Sequence, residues 1–181
     1  LSKLYGEGYD FSELREYQIG DDIRKINWTI TAKLGKPYIK ELHANRELSV
    51  VVATLMDANV YYGSGNAKQK KLTEVATLLG YAAQQNSDLF TGLSYTQGST
   101  YATPPTKQLY HIEQFSKTLF NASLINTSLD YNTAIQDLFK RLYKPSLVFV
   151  LGDFLEEVDL SLLAQKHEVI AVIIRNREEE T

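Results

Sequence analysis

From Leu48 onward the chain alternates short apolar runs with longer stretches in which apolar residues recur every three to four positions. Leu48-Ser49-Val50-Val51-Val52-Ala53-Thr54-Leu55-Met56 is β-branched and nearly continuous in apolar character, the pattern of a strand buried on both faces. A Gly/Ser/Asn loop at 63–66 leads into a helix predicted over Ala67–Gln85, with Leu72, Val75, Ala76, Leu79, Ala82 and Ala83 on a single helical face. Leu89–Thr96 reads as a second strand and Ser99–Ala102 as its hairpin partner across Gln97-Gly98. Pro104-Pro105 breaks the pattern, and Leu109, Ile112, Phe115, Leu119 and Phe120 then mark one face of a further helix. Another helix is predicted over 131–142, ended by Lys144-Pro145. The buried-type strand Ser146-Leu147-Val148-Phe149-Val150-Leu151 follows and stops at Gly152-Asp153. A short helix at 160–165 and a last strand at 168–174 complete the series.

Apolar strands alternating with amphipathic helices predict an α/β fold, a mostly parallel, doubly wound sheet with helices on both faces. The two most apolar strands, ending at Asp57 and Asp153, are expected side by side at its centre. Residues 1–47 are different in character, polar and punctuated by Gly6, Gly8, Gly20, Gly35 and Pro37, with an edge strand predicted at 37–42. The expected organisation is an amino-terminal segment, 1–47, packed on a core of 48–181 through Leu14, Ile19, Ile23, Ile26 and Trp28. The chain starts without Met and stops after a charged run, so it reads as a fragment with the core truncated at its carboxyl end.

Composition removes several function classes. The 181 residues contain 44% hydrophobic and 23% charged side chains, ordinary values for a folded domain. A net charge of -3 supplies no basic field for nucleic acid. The chain has no cysteine, which excludes disulfides, thiol nucleophiles and cysteine-ligated metals, and its histidines, His43, His111 and His167, are scattered. No apolar run approaches the ~18 residues that a bilayer-spanning helix needs.

The run Gly8-Tyr9-Asp10-Phe11-Ser12-Glu13-Leu14-Arg15-Glu16-Tyr17-Gln18-Ile19-Gly20-Asp21-Asp22-Ile23-Arg24-Lys25-Ile26-Asn27-Trp28 resembles the signature G-x-[DE]-F-x-x-L-R-x-Y-x-x-G-D-D-x-R-x-I-x-W of a bacterial family, domain of unknown function 58. Within it Arg15, Gly20, Asp21, Asp22, Arg24 and Trp28 read as structural. The aspartates suit a turn or helix cap, and the arginines suit pairing with neighbouring acids.

The core resembles a von Willebrand factor A domain, which that family carries. Such a domain places a metal-ion-dependent adhesion site at the carboxyl ends of its strands, built from Asp-x-Ser-x-Ser, a Thr from a later loop and a second Asp. Here the motif becomes Asp57-Ala58-Asn59-Val60-Tyr61, the Thr position falls near Leu129, and Asp153 survives. Asp57, Asn59 and Asp153 therefore form a degenerate set, expected to hold no resident cofactor and at most a weakly bound magnesium. Asp57 is expected to cap the loop after it or meet a nearby amide.

The resulting expectation is a non-enzymatic protein-interaction module. Its docking face is the carboxyl edge of the sheet, with Tyr61 and Tyr62 as aromatic anchors and Asp130, Asp153, Glu156 and Glu157 as an acidic rim. The family resemblance implies a MoxR-type AAA+ ATPase as partner, chaperone-like assembly or maturation as the task, and a cytoplasmic position, with any membrane anchor in segments outside this chain. No nucleic acid is expected. The alternatives are a metal-dependent hydrolase or an adhesion-type metal site using Asp57 and Asp153.

Overall fold

A computed structural model describes residues 11–43, 47–62 and 64–179, and the chain divides into two compact units, 1–47 and 48–181. In the first, β1 (Phe11–Glu16) and β2 (Tyr38–His43) form an antiparallel two-stranded sheet, registered from Phe11 opposite His43 to Glu16 opposite Tyr38. Between them lies α1 (Trp28–Leu34). Its sequence, Trp-Thr-Ile-Thr-Ala-Lys-Leu, is short and mixes β-branched residues with helix formers, so neither it nor β1 is evident from periodicity. The ends specify this helix: the Asn27 side chain accepts from the Ile30 amide at 3.1 Å, and Gly35 closes the last turn.

The second unit is built on a five-stranded sheet of order β5-β4-β3-β6-β7. Its strands are β3 (Ser49–Leu55), β4 (Leu89–Thr96), β5 (Ser99–Ala102), β6 (Leu147–Gly152) and β7 (Glu168–Ile173). All neighbours run parallel except β5, which folds back antiparallel on β4. Gln97-Gly98 makes that hairpin, and Gly98 takes the left-handed φ of 64° that the second central position of a type II turn requires. The doubly wound expectation holds, and β3 and β6 are central neighbours.

Alternation along β3 divides the core. Val50 and Val52 face α3 (Ala67–Gln85) and α4 (Leu109–Phe120), joining Leu72, Ala76, Ile112, Phe115 and Leu119. Val51, Ala53 and Leu55 face the other way, towards Ile135 and Leu138 of α5 (Tyr131–Arg141) and Leu163 of α6 (Ser161–Ala164). Gly92 on β4 is a contact point: a Cβ there would lie 2.8 Å from two carbons of the Phe115 ring. The missing side chain lets the ring lie directly on the sheet.

His167, 7% exposed, fastens the entry to β6, accepting the Ser146 amide on Nδ1 at 3.1 Å. Its Nε2 has no hydrogen-bond partner in bonding geometry, although the Leu142 carbonyl is close enough to favour the imidazolium. Burial dominates and holds the imidazole below its ordinary pKa. The unfolded chain therefore takes up a proton near pH 6.5 that the folded chain declines. Stability is full above that pH and is lost as the pH falls below it towards the folded value. Urea titrations at pH 7.5 and 5.5 should show this loss in the natural chain and a smaller one in His167→Gln. Equal losses would assign the pH dependence to other groups.

Candidate functional site

The strand order changes direction between β3 and β6, since β3 connects through α3 to β4 on one side and β6 through α6 to β7 on the other. In open α/β sheets this switch point leaves a crevice at the carboxyl ends of the strands. Asp57 and Asp153 sit there, 2% and 1% exposed. Two buried carboxylates in one crevice are costly unless each is fully bonded, and each is.

Asp57 leaves β3 and caps α2 (Ala58–Tyr61), a single turn, with Oδ1 accepting the Asn59 amide at 3.0 Å. Its Oδ2 accepts the Tyr131 hydroxyl at 2.7 Å and the Leu129 amide at 3.4 Å. Leu129 thus contributes a backbone N–H to the crevice. Burial, and then the bond to Asp57, push the Tyr131 phenol well above its ordinary pKa, so it stays a hydrogen donor at all physiological pH. Asn59 is exposed and serves through its amide.

Asp153 is held differently. Oδ1 accepts the Leu155 amide at 3.2 Å, and Oδ2 faces the Lys68 ammonium at 3.4 Å. The Lys68 side chain is 2% exposed, and its shorter bond, 2.7 Å, goes to Oε1 of Glu179. Glu179 lies on a terminal 3-10 turn, Arg177–Glu179, where its Oε2 accepts the Asn176 amide at 3.0 Å. Arg175 ties the same segment down, donating from Nε to the Asp153 carbonyl and from Nη2 to the Phe154 carbonyl, both at 2.9 Å.

Lys68, Tyr131 and Glu179 are the residues that sequence reasoning overlooked. Lys68 carried a signal, because it stands four and eight residues before Leu72 and Ala76 on the buried stripe of α3. A charge in that phase asks for a buried partner. Tyr131 likewise precedes Ile135 and Leu138 on the inner face of α5.

These contacts decide whether a divalent ion fits. Such an ion wants six or more oxygens, but both Asp57 oxygens already accept N–H or O–H donors, and Asp153 Oδ2 faces an ammonium. Among the described residues, no group of three or more His, Cys, Asp or Glu side chains could hold a metal. The donor set Asp57, Asn59 and Asp153 does not fit the ion.

Around this buried centre the rim is exposed. Tyr62 is 53% exposed, its hydroxyl 3.4 Å from Asn126 Oδ1. Tyr61 stacks edge-on against it at 5.8 Å but is half-buried against the core, so the two tyrosines do not both form the lip. Asp130 caps α5 by accepting the Thr133 amide at 3.1 Å, which lowers its carboxyl pKa. It also lines a 390 Å³ cavity with Tyr95, Gln97, Ser128 and Asp137. Glu156 and Glu157 are exposed in the loop after Asp153.

In the first unit the signature residues bond to each other. Arg15 grips Asp21 in a bidentate pair at 2.8 and 3.0 Å, which, with the Gln18 amide, lowers the Asp21 pKa to about 2. Asp22 caps the Ile23–Lys25 turn through the Arg24 amide and pairs with the Arg24 guanidinium. Gly20 lies in the turn before them, and Trp28, the first residue of α1, is exposed.

A mostly parallel sheet of this order, with helices on both faces, gives residues 48–181 a von Willebrand factor A-like fold. The chain belongs to the protein family of unknown function DUF58, whose model matches residues 13–181. Uncharacterized proteins of Mycobacterium bovis and Mycobacterium tuberculosis are 24% identical to it over 179 residues, 95% of this chain and 56% of theirs. The chain thus spans little more than half the length of these relatives. Among solved structures it is similar to the conserved hypothetical protein BatB from Bacteroides thetaiotaomicron, at a TM-score of 0.52 and 12% identity over 68% of this chain and 65% of that one. Among the described residues no helix is long and apolar enough to cross a membrane.

Proposed function

We propose that residues 48–181 are a non-enzymatic protein-interaction module that docks a partner on the carboxyl edge of its sheet. The observation carrying this reading is that the crevice aspartates are consumed by internal bonds. Asp57 serves Tyr131, Leu129 and Asn59, and Asp153 serves Lys68 and Leu155. Neither is free to act as a base, a nucleophile or a metal ligand, which argues against the hydrolase and adhesion-site alternatives. What the edge offers outward is one exposed aromatic, Tyr62, among Asp130, Glu156 and Glu157. That combination suits a protein with a basic surface. A MoxR-type AAA+ ATPase, which the family resemblance implies, is the partner we propose, with assembly or maturation of other proteins as the shared task.

The test is binding of the MoxR-type ATPase from the same genome to the purified chain. An aromatic hot spot contributes ~2 kcal/mol or more, so Tyr62→Ala should weaken the complex at least about tenfold with unchanged thermal stability. If Tyr62→Ala and Asp130→Asn both leave the affinity untouched, the docking face lies elsewhere, and Arg15 and Arg24 become the next residues to vary.

A further inference from the structure

The crevice of this fold normally suits a divalent cation, and here it carries a positive charge of its own. Lys68 enters from the first turn of α3 and brings its ammonium to 3.4 Å from Asp153 and 2.7 Å from Glu179, with its side chain 2% exposed. The two carboxylates arrive from remote parts of the chain, 85 and 111 residues away. The β6–β7 pairing and Arg175 bring their two segments side by side, and the ammonium is the group that both carboxylates share. An ammonium with three donors on a flexible stem is a compact point charge, a geometric substitute for a hard cation among oxygens.

We propose that Lys68 is the resident cation of this crevice, occupying with its ammonium the electrostatic place of a divalent ion, so that the carboxyl edge is complete without metal. Three details support this. Glu179 is only partly buried, yet it takes the shorter of the two bonds, as the outer carboxylate of a cation site would. Asp57, which would be the other anchor for an ion, is turned to Tyr131 and two amides and needs no cation. A doubly charged ion placed against Asp153 would also meet the Lys68 ammonium at short range in a poorly solvated site, where like charges repel strongly.

The inference concerns the chain alone and needs no partner, so it stands or falls independently of the docking proposal. The experiment follows folding by circular dichroism and thermal melting of the whole chain and its Lys68→Met and Lys68→Ala variants, with millimolar MnCl₂ or with EDTA. The natural chain should melt at the same temperature in both. Without the ammonium, Asp153 and Glu179 are left as two oxygen ligands on one crevice, and manganese should raise the melting temperature of the variants by several degrees. A variant unfolded in EDTA that folds on adding manganese counts as the same result. The proposal is overturned if manganese stabilises the natural chain as much as the variants. It is equally overturned if neither variant gains stability or structure from manganese in excess. A further control, Lys68→Met with Asp153→Asn, should lose the manganese response.

Discussion

Lys68→Met should destabilise the second unit by about 3–5 kcal/mol in metal-free buffer, the usual cost of removing one partner from a buried ion pair. The lost attraction is the smaller part of that figure. The larger part is the Asp153 carboxylate, 1% exposed, which would keep one amide donor and lose its cation. The second change Asp153→Asn removes this charge, so the double variant should be more stable than Lys68→Met alone. Urea unfolding of the natural chain, both single variants and the double variant closes the cycle. A coupling energy near zero would show that Lys68 and Asp153 are neighbours without being partners.

Phe115→Ala should cost a similar amount, roughly 3–5 kcal/mol, for an unrelated reason. The ring is fully buried, packs 5.8 Å from the Phe90 ring and lies against the bare backbone of Gly92. On the sheet side the surface beneath it is the main chain of Gly92, which cannot relax into the space. Phe115→Leu keeps much of the volume and should lose distinctly less. If both variants unfold at the same denaturant concentration, the cavity is not the source of the loss.

The core was legible in the sequence because burial there follows simple periods. β3 and β6 read as continuous apolar runs, and α3, α4 and α5 show their inner faces at helical spacing. The hairpin at Gln97-Gly98 was equally plain. The first unit was legible only in part: the edge strand expected at 37–42 is β2, but α1 is a short helix set by its Asn27 and Gly35 caps, and β1 lacks clean alternation. For the crevice, the sequence placed Asp57 and Asp153 and the cap that Asp57 makes to the Asn59 amide, but not their distant partners. Hydrogen bonds from Leu129 and Tyr131 to Asp57 span 72 and 74 residues, and no local pattern encodes such pairing. Lys68 and Tyr131 each stand in the apolar phase of their helix, a signal of buried polar groups that the sequence reading passed over.

The span between Lys68 and Glu179 also has a meaning in time. A chain made from its amino terminus at about 5–20 residues per second needs roughly 6 to 22 seconds to add the 111 residues that separate them. For that interval the Lys68 ammonium has no Glu179 to hold, and for most of it no Asp153 either. The carboxyl edge of the sheet is thus the last part of the unit to acquire its final electrostatics, and a chain still emerging from the ribosome does not yet present the surface that the finished one does.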